Sequence, residues 1–167
     1  PYAAFRYRNF RLLFTATTLS VVGGILETTA LGWELYERTG SALTLGNVGL
    51  AEFLPVLLFA LPAGHIADRF DRRMVAVLAR LLEIVGALGL AYLSWASGPI
   101  AVIYGFVLLT SAARTFGGPA ASAFLPNSVP GHAFNNAVTW EMTSIQLAGM
   151  VAPAVAGLLI ASLAPVR

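Results

Sequence analysis

Lysine and cysteine are absent from this sequence, and charge of either sign is scarce. Without Lys there is no Walker A loop, whose Lys contacts the nucleotide phosphates, so nucleotide hydrolysis by that route is excluded. Without Cys there is no disulfide and no thiolate metal site. His65 and His132 are too few imidazoles for a metal centre, and neither a metal nor a cofactor is expected. Charged residues make up 11% of the chain, against roughly 25% in an ordinary soluble domain.

What is present is apolar. The chain is 57% hydrophobic with a mean hydropathy of +0.77, which leaves too little polar surface to cover a core from water. Lipid as the outer solvent removes that difficulty. Backbone polar groups in lipid must be satisfied within the element, so the choice is helices or a closed barrel. A barrel would show alternating segments of about ten residues. The apolar runs here are long and rich in Leu and Ala, so the fold class is an all-α membrane protein. The pI of 9.4 would suit nucleic acid, but a net charge of +2 is small. The Arg residues serve better as topology signals, and no nucleic-acid partner is expected.

A spanning helix needs about 20 mostly apolar residues. Five segments qualify, at about 10–36, 42–67, 74–96, 100–125 and 134–163. Short connections join them: Glu37 to Ser41, Asp68 to Arg73, Ser97-Gly98-Pro99, and a helix-breaking loop from Pro126 to Ala133. None is long enough to part domains, so residues 1–167 read as a single transmembrane domain. Arg6, Arg8, Arg11, Arg69, Arg72 and Arg73 share one side, against Arg38 and Arg167 on the other. That bias predicts a cytoplasmic N-terminus in a multi-pass plasma-membrane (cell inner membrane) protein.

The connection Gly64-His65-Ile66-Ala67-Asp68-Arg69-Phe70-Asp71-Arg72-Arg73 carries a Gly, an Asp-Arg pair and a basic pair. Gly64 permits close approach of a second helix. Asp68 lies near the C-terminal end of the second helix, where the helix dipole disfavours an anion, so it calls for cationic neighbours such as Arg69, Arg72 and Arg73. Such a cluster serves either as a latch that differs between conformations or as solvated loop charges. Its position and composition resemble the signature loop of the major facilitator superfamily, with Asp71 where that motif has Gly. Thr39-Gly40-Ser41, Leu54-Pro55 and Leu61-Pro62-Ala63-Gly64 look like the drug-efflux and siderophore-export branch. The resemblance covers essentially the whole chain but only the first five of that family's twelve helices. It implies a partial N-terminal helix bundle, with the sixth helix and the C-terminal half absent. The chain begins at Pro1 rather than Met, so the natural start is expected to be missing. A longer protein, or a half-size protein that pairs with a second copy, both fit.

Two further stretches resemble the same family. Arg114-Thr115-Phe116-Gly117-Gly118-Pro119 is similar to its Arg-plus-Gly motif, whose Arg the family associates with coupling. On the fifth helix Gly149, Pro153 and Gly157 stand in a run similar to the Gly-rich motif of its antiporters. Small residues four apart also serve generic tight packing, and Pro153 permits a bend.

Ionisable residues within lipid are costly, which makes Glu27, Glu52, Arg80, Glu83, Arg114 and Glu141 functional candidates. Glu27 lies ten residues before the loop residue Glu37, and Glu52 ten residues after Ala42. At about 1.5 Å per residue this is roughly 15 Å deep, near the midplane of a core about 30 Å thick. Glu83, Arg114 and Glu141 fall near the same depth, where secondary transporters bind their substrates. Arg80 and Glu83 are spaced to pair, and Arg114 is available to Glu141. That leaves Glu27 and Glu52 for proton coupling or recognition of a cationic substrate, or for pairing with residues of an absent second half. Glu34 and Arg38 form a surface pair. Trp33, Tyr36 and Trp95 suit interfacial belts. Trp140 is a cavity candidate, and Asn135 and Asn136 suit the start of the fifth helix.

The family resemblance implies a secondary transporter, not an enzyme. It would export small amphipathic compounds or drugs against proton entry, by alternating access. A siderophore or metabolite exporter is the second reading. A non-transporting membrane scaffold, or a half-size subunit that must dimerise, is the third.

Overall fold

The computed structural model describes residues 2–163; Arg167, counted above among the charges of the second side, lies outside them. A short 3-10 turn, Ala4–Arg6, leads into five α-helices: α1 Arg8–Thr39, α2 Ala42–Arg69, α3 Arg72–Trp95, α4 Ile100–Ser128 and α5 Gly131–Leu163. All five are long and apolar enough to cross a membrane. Their surfaces agree with lipid as solvent. Leu61 and Trp95, large apolar side chains that water would penalise, are 87% and 84% exposed.

Each helix end has a local cause. Gly40 ends α1 with φ of 61°, a left-handed conformation open to Gly at little cost, and its N–H closes on the Tyr36 carbonyl at 2.8 Å. After Trp95 the chain turns at Ser97, and the Gly98 N–H reaches the Leu93 carbonyl at 2.7 Å. Between α2 and α3 only Phe70 and Asp71 intervene. The segment read as a loop from Pro126 is helical on both sides. α4 runs on through Pro126 to Ser128, whose hydroxyl caps the Leu125 carbonyl at 2.7 Å. Pro126 sits in the last turn, and the N–H it lacks removes one intrahelical bond, that to the carbonyl of Ser122. Pro130 marks the true break before α5.

The chain divides into two compact units. One holds the residues up to Leu31 together with those from Leu125 onward; the other is Gly32–Phe124. In the first, the N-terminal segment folds against the start of α5. Ala4, Phe10, Leu125, Val129, Ala133 and Ala137 form its core, with Phe5, Phe14 and Trp140 packed on it. The Thr18 hydroxyl donates to Ser144 Oγ at 3.3 Å, which fixes the register of α1 along α5.

In the second unit α3 and α4 run antiparallel. A Cβ on Gly86 would lie 2.2 Å from Thr110 Cγ2, and one on Gly89 would lie 2.2 Å from a Phe106 ring atom. Only glycine lets these two helices approach this closely. α2 runs alongside α4 in the same direction. Tyr104 donates to the Thr44 carbonyl at 3.2 Å, Ser111 donates to the Glu52 carbonyl, and Phe59 meets Phe116 at a centroid distance of 5.6 Å.

Candidate functional site

The α2–α3 turn is built by its charges. Arg69 closes the last turn of α2, where its cation complements the helix dipole. Asp71 is the N-cap of α3, with φ of −59° and its carboxylate accepting the Met74 N–H at 2.9 Å. A left-handed backbone is therefore not needed here, which explains why Asp serves where the family motif has Gly. Arg72 Nη1 donates to the Ala123 carbonyl near the end of α4 at 3.1 Å, joining this turn to a third helix. Asp68 and Arg73 stand in the same turn. A Cβ on Gly64 would meet nothing within 4 Å, so within the described residues no helix uses the room that Gly leaves.

At the opposite end of α3 lies a network that sequence spacing shows only in part. Arg38 pairs with Glu34 and also donates to the carbonyls of Ser94 at 3.0 Å and Gly98 at 3.1 Å. The Ser94 hydroxyl donates to Glu34 Oε2 at 2.6 Å. This is a tie between the end of α1 and the α3–α4 turn rather than a surface pair. The i,i+4 spacing of Glu34 and Arg38 was visible in the sequence; Ser94 and the carbonyls come from distant positions and carried no signal. Trp33, Tyr36 and Trp95 are exposed nearby, as an interfacial belt requires.

The ionisable residues of the spans fall into three situations. Arg80 and Glu83 pair at 2.7 Å, and Gly117 of α4 packs beside them. Glu27, Glu52 and Arg114 each engage a partner in the chain, so Glu27 and Glu52 are not the isolated carboxylates that counting charges suggested. Glu141 is 6% exposed on α5. Among the described residues of its unit, no side chain or N–H hydrogen-bonds or pairs with its carboxylate. Arg114 belongs to the other unit, so the pairing with Glu141 is not made inside either one.

Glu141 lies on a continuous buried stripe of α5: Ala133, Ala137, Glu141, Ser144, Ala148, Ala152 and Ala156. These positions follow the three-and-four spacing of one helix face. Gly149, Pro153 and Gly157 fall one residue later and are exposed. A Cβ on either Gly would meet nothing within 4 Å. The close-packed small residues of α5 are therefore its alanines. On α1, Thr18 is bonded to Ser144, and the adjacent Thr17 is 8% exposed with a hydroxyl that has no hydrogen-bond partner. The adjacent Thr17 and Thr18 are the local sequence signal of this polar level on α1.

Trp140 and Asn136 have structural work instead. Trp140 stacks on Tyr2 with centroids 5.5 Å apart and takes Phe5 on its edge at 5.4 Å. The Asn136 side-chain oxygen Oδ1 accepts the Ala4 N–H at 3.1 Å. α5 starts at Gly131, which places Asn136 past the capping positions and in reach of the N-terminal segment. Tyr7 OH and His132 Nε2 close the same junction at 3.2 Å. No group of His, Cys, Asp and Glu that could hold a metal occurs among the described residues.

The model of a family described as transmembrane secretion effector matches residues 1–167. The chain belongs to that family, within the major facilitator superfamily. It is 32% identical to the multidrug efflux pump Tap of Mycobacterium tuberculosis, over 92% of this chain and 38% of that protein. Similarity extends to macrolide efflux protein A of Streptococcus pyogenes, at 26% identity over 92% of this chain and 39% of the relative. The staphyloferrin A transporter of Staphylococcus aureus is 25% identical over 90% of this chain and 38% of its own length. The chain thus spans well under half the length of the curated relatives it matches. No solved structure matches it.

Proposed function

We propose that this chain is the N-terminal part of a secondary transporter that exports small amphipathic compounds, drugs among them, in exchange for entering protons. The observation that carries this reading is that each of the five spanning helices bears an ionisable residue: Glu27, Glu52, Arg80 with Glu83, Arg114 and Glu141. A scaffold has no need to bear that desolvation cost, whereas a transporter uses such groups to bind charge at mid-depth. The efflux relatives support export as the direction.

The mechanism is alternating access around a cavity completed by a C-terminal half or by a second copy. Asp68, Arg69, Arg72 and Arg73 stabilise one state at the cytoplasmic face, with Arg72 tying that turn to α4. The N-terminus lies in the cytoplasm of a cell whose plasma membrane holds the protein. Export of a siderophore or other metabolite is the second reading, favoured by the staphyloferrin A transporter among the relatives.

The test is export by the full-length protein in everted membrane vesicles. Ethidium should accumulate when the lumen is acidified and leak back when a protonophore collapses the gradient. Accumulation indifferent to the gradient would overturn proton exchange. No accumulation of ethidium, a neutral macrolide or a siderophore would overturn export.

A further inference from the structure

We infer that Glu141 is the group that binds the positive charge the transporter moves, either a solvent proton or the cationic centre of the cargo. This deepens the proposed function and rests on it. Three observations point to Glu141 rather than to the other acids of the spans. It is the most buried of them that the structure leaves without a partner in its own unit. Glu34 and Glu83 are ion-paired, while Glu27 and Glu52 are engaged. It also sits on the packed face of α5 and not on the face turned outward.

Among the described residues of its own unit, the neighbouring part of α1 offers hydroxyls and no ionisable side chain. Between Arg11 and Glu27, α1 carries no ionisable side chain. At the level set by Thr18 and Ser144 it offers hydroxyls alone, including the unpartnered Thr17. His132 precedes Glu141 by nine residues on α5, while on α1 Arg8 and Arg11 precede Thr18 by ten and seven, and Arg11 is exposed. A carboxylate in such a place is costly to keep ionised without a counter-charge. Binding a proton or a cation relieves that cost, and release to water on the far side restores it.

The experiment uses the full-length transporter in proteoliposomes with an imposed pH gradient, ethidium as a monocation and erythromycin held at a pH where it is neutral. Glu141→Gln keeps the shape and removes the charge. If the site holds the proton, gradient-driven transport of both compounds falls at least tenfold while exchange without a gradient persists. If it holds the cargo's charge, ethidium transport alone falls by that factor. Unchanged rates for both, in a wild-type background that responds to the gradient, would overturn the assignment while leaving proton-coupled export standing. A wild type that ignores the gradient removes the proton arm and the coupling reading together; the assignment then stands if Glu141→Gln abolishes ethidium transport, and falls if it does not. Restoration by the double change Glu141→Gln with Arg114→Gln would also overturn it, since that marks a structural ion pair. Should the Gln variant fail to reach the membrane, a hydrophobic carbodiimide on the wild type reads the same site. Labelling of Glu141 that excess ethidium or alkaline pH suppresses supports the inference, and absence of labelling overturns it.

Discussion

Residues 32–124 and the α5 region handle buried polarity in opposite ways. In the first, Arg38 answers Glu34 and two carbonyls, Arg80 answers Glu83, and Arg72 answers a carbonyl of α4. Its close-set glycines, Gly86 and Gly89, are filled by Thr110 and Phe106. On α5 the buried carboxylate stands without a partner in its unit, and Gly149 and Gly157 face open space. The contrast separates polar groups that hold helices together from one whose burial no partner in its unit offsets. A paired charge contributes to stability only while both partners remain. An unpaired one is a cost that something other than stability must justify.

The sharpest way to break the comparison is to strip a partner from the tied region. Arg38→Met removes the cation that serves Glu34 and the carbonyls of Ser94 and Gly98, leaving a mostly buried carboxylate. We expect a loss of about 3 kcal/mol, the low end for a buried pair broken on one side. The measurement is thermal unfolding of the full-length protein in detergent. A loss below about 1 kcal/mol would return Glu34 and Arg38 to the status of an exposed surface pair.

Gly86→Ala comes next. The added methyl would lie 2.2 Å from Thr110 Cγ2, so Thr110 must leave its rotamer or α3 and α4 must separate. Overpacking of this kind costs about 2 kcal/mol. Combining Gly86→Ala with Thr110→Ser, which deletes the clashing methyl, should recover most of it in the same melt.

Glu141→Gln should move stability the other way, by about 1 kcal/mol or somewhat more, because a neutral amide is cheaper to bury than an unpaired carboxylate. A higher melting temperature with transport lost is the signature expected of a site kept for function. A lower one would show a partner for Glu141 and dissolve the contrast.

Much of this was readable in the sequence, and the failures have a common physical origin. Five spans, their short connections and the turn carrying Asp68 to Arg73 follow from hydropathy and local spacing, which need no tertiary information. The Arg80–Glu83 pair follows from helix periodicity. Which carboxylate lacks a partner does not, since it depends on which helices meet and in what register. Counting charges therefore gives Glu141 the partner Arg114 and leaves Glu27 and Glu52 over, whereas in the structure Glu27 and Glu52 are engaged. Among the described residues α5 packs through its alanines and not through Gly149 and Gly157 one residue later, because helix register rather than residue size decides which small residues are covered. Asp71 shows a local signal that was available and unused: an acid three residues before Met74 is a helix N-cap. Asp71→Ala should cost about 1 kcal/mol and Asp71→Gly only a few tenths, both read in the thermal melt.

The smallest effect tests that one-residue shift on α5. Gly149→Ala and Gly157→Ala place a methyl where the structure has no neighbour within 4 Å, while raising helix propensity. We expect each to be neutral or to add up to about 1 kcal/mol of stability, since Gly in a helix interior costs that much relative to Ala. Ala152→Leu, on the buried stripe a short step away, should instead lose about 2 kcal/mol by overpacking. Equal tolerance at all three positions would mean that α5 does not pack through its alanines. If the two glycine variants melt normally yet lose transport, the open face of α5 is where the rest of the transporter docks or moves. The glycines would then be required by a helix that this chain does not contain.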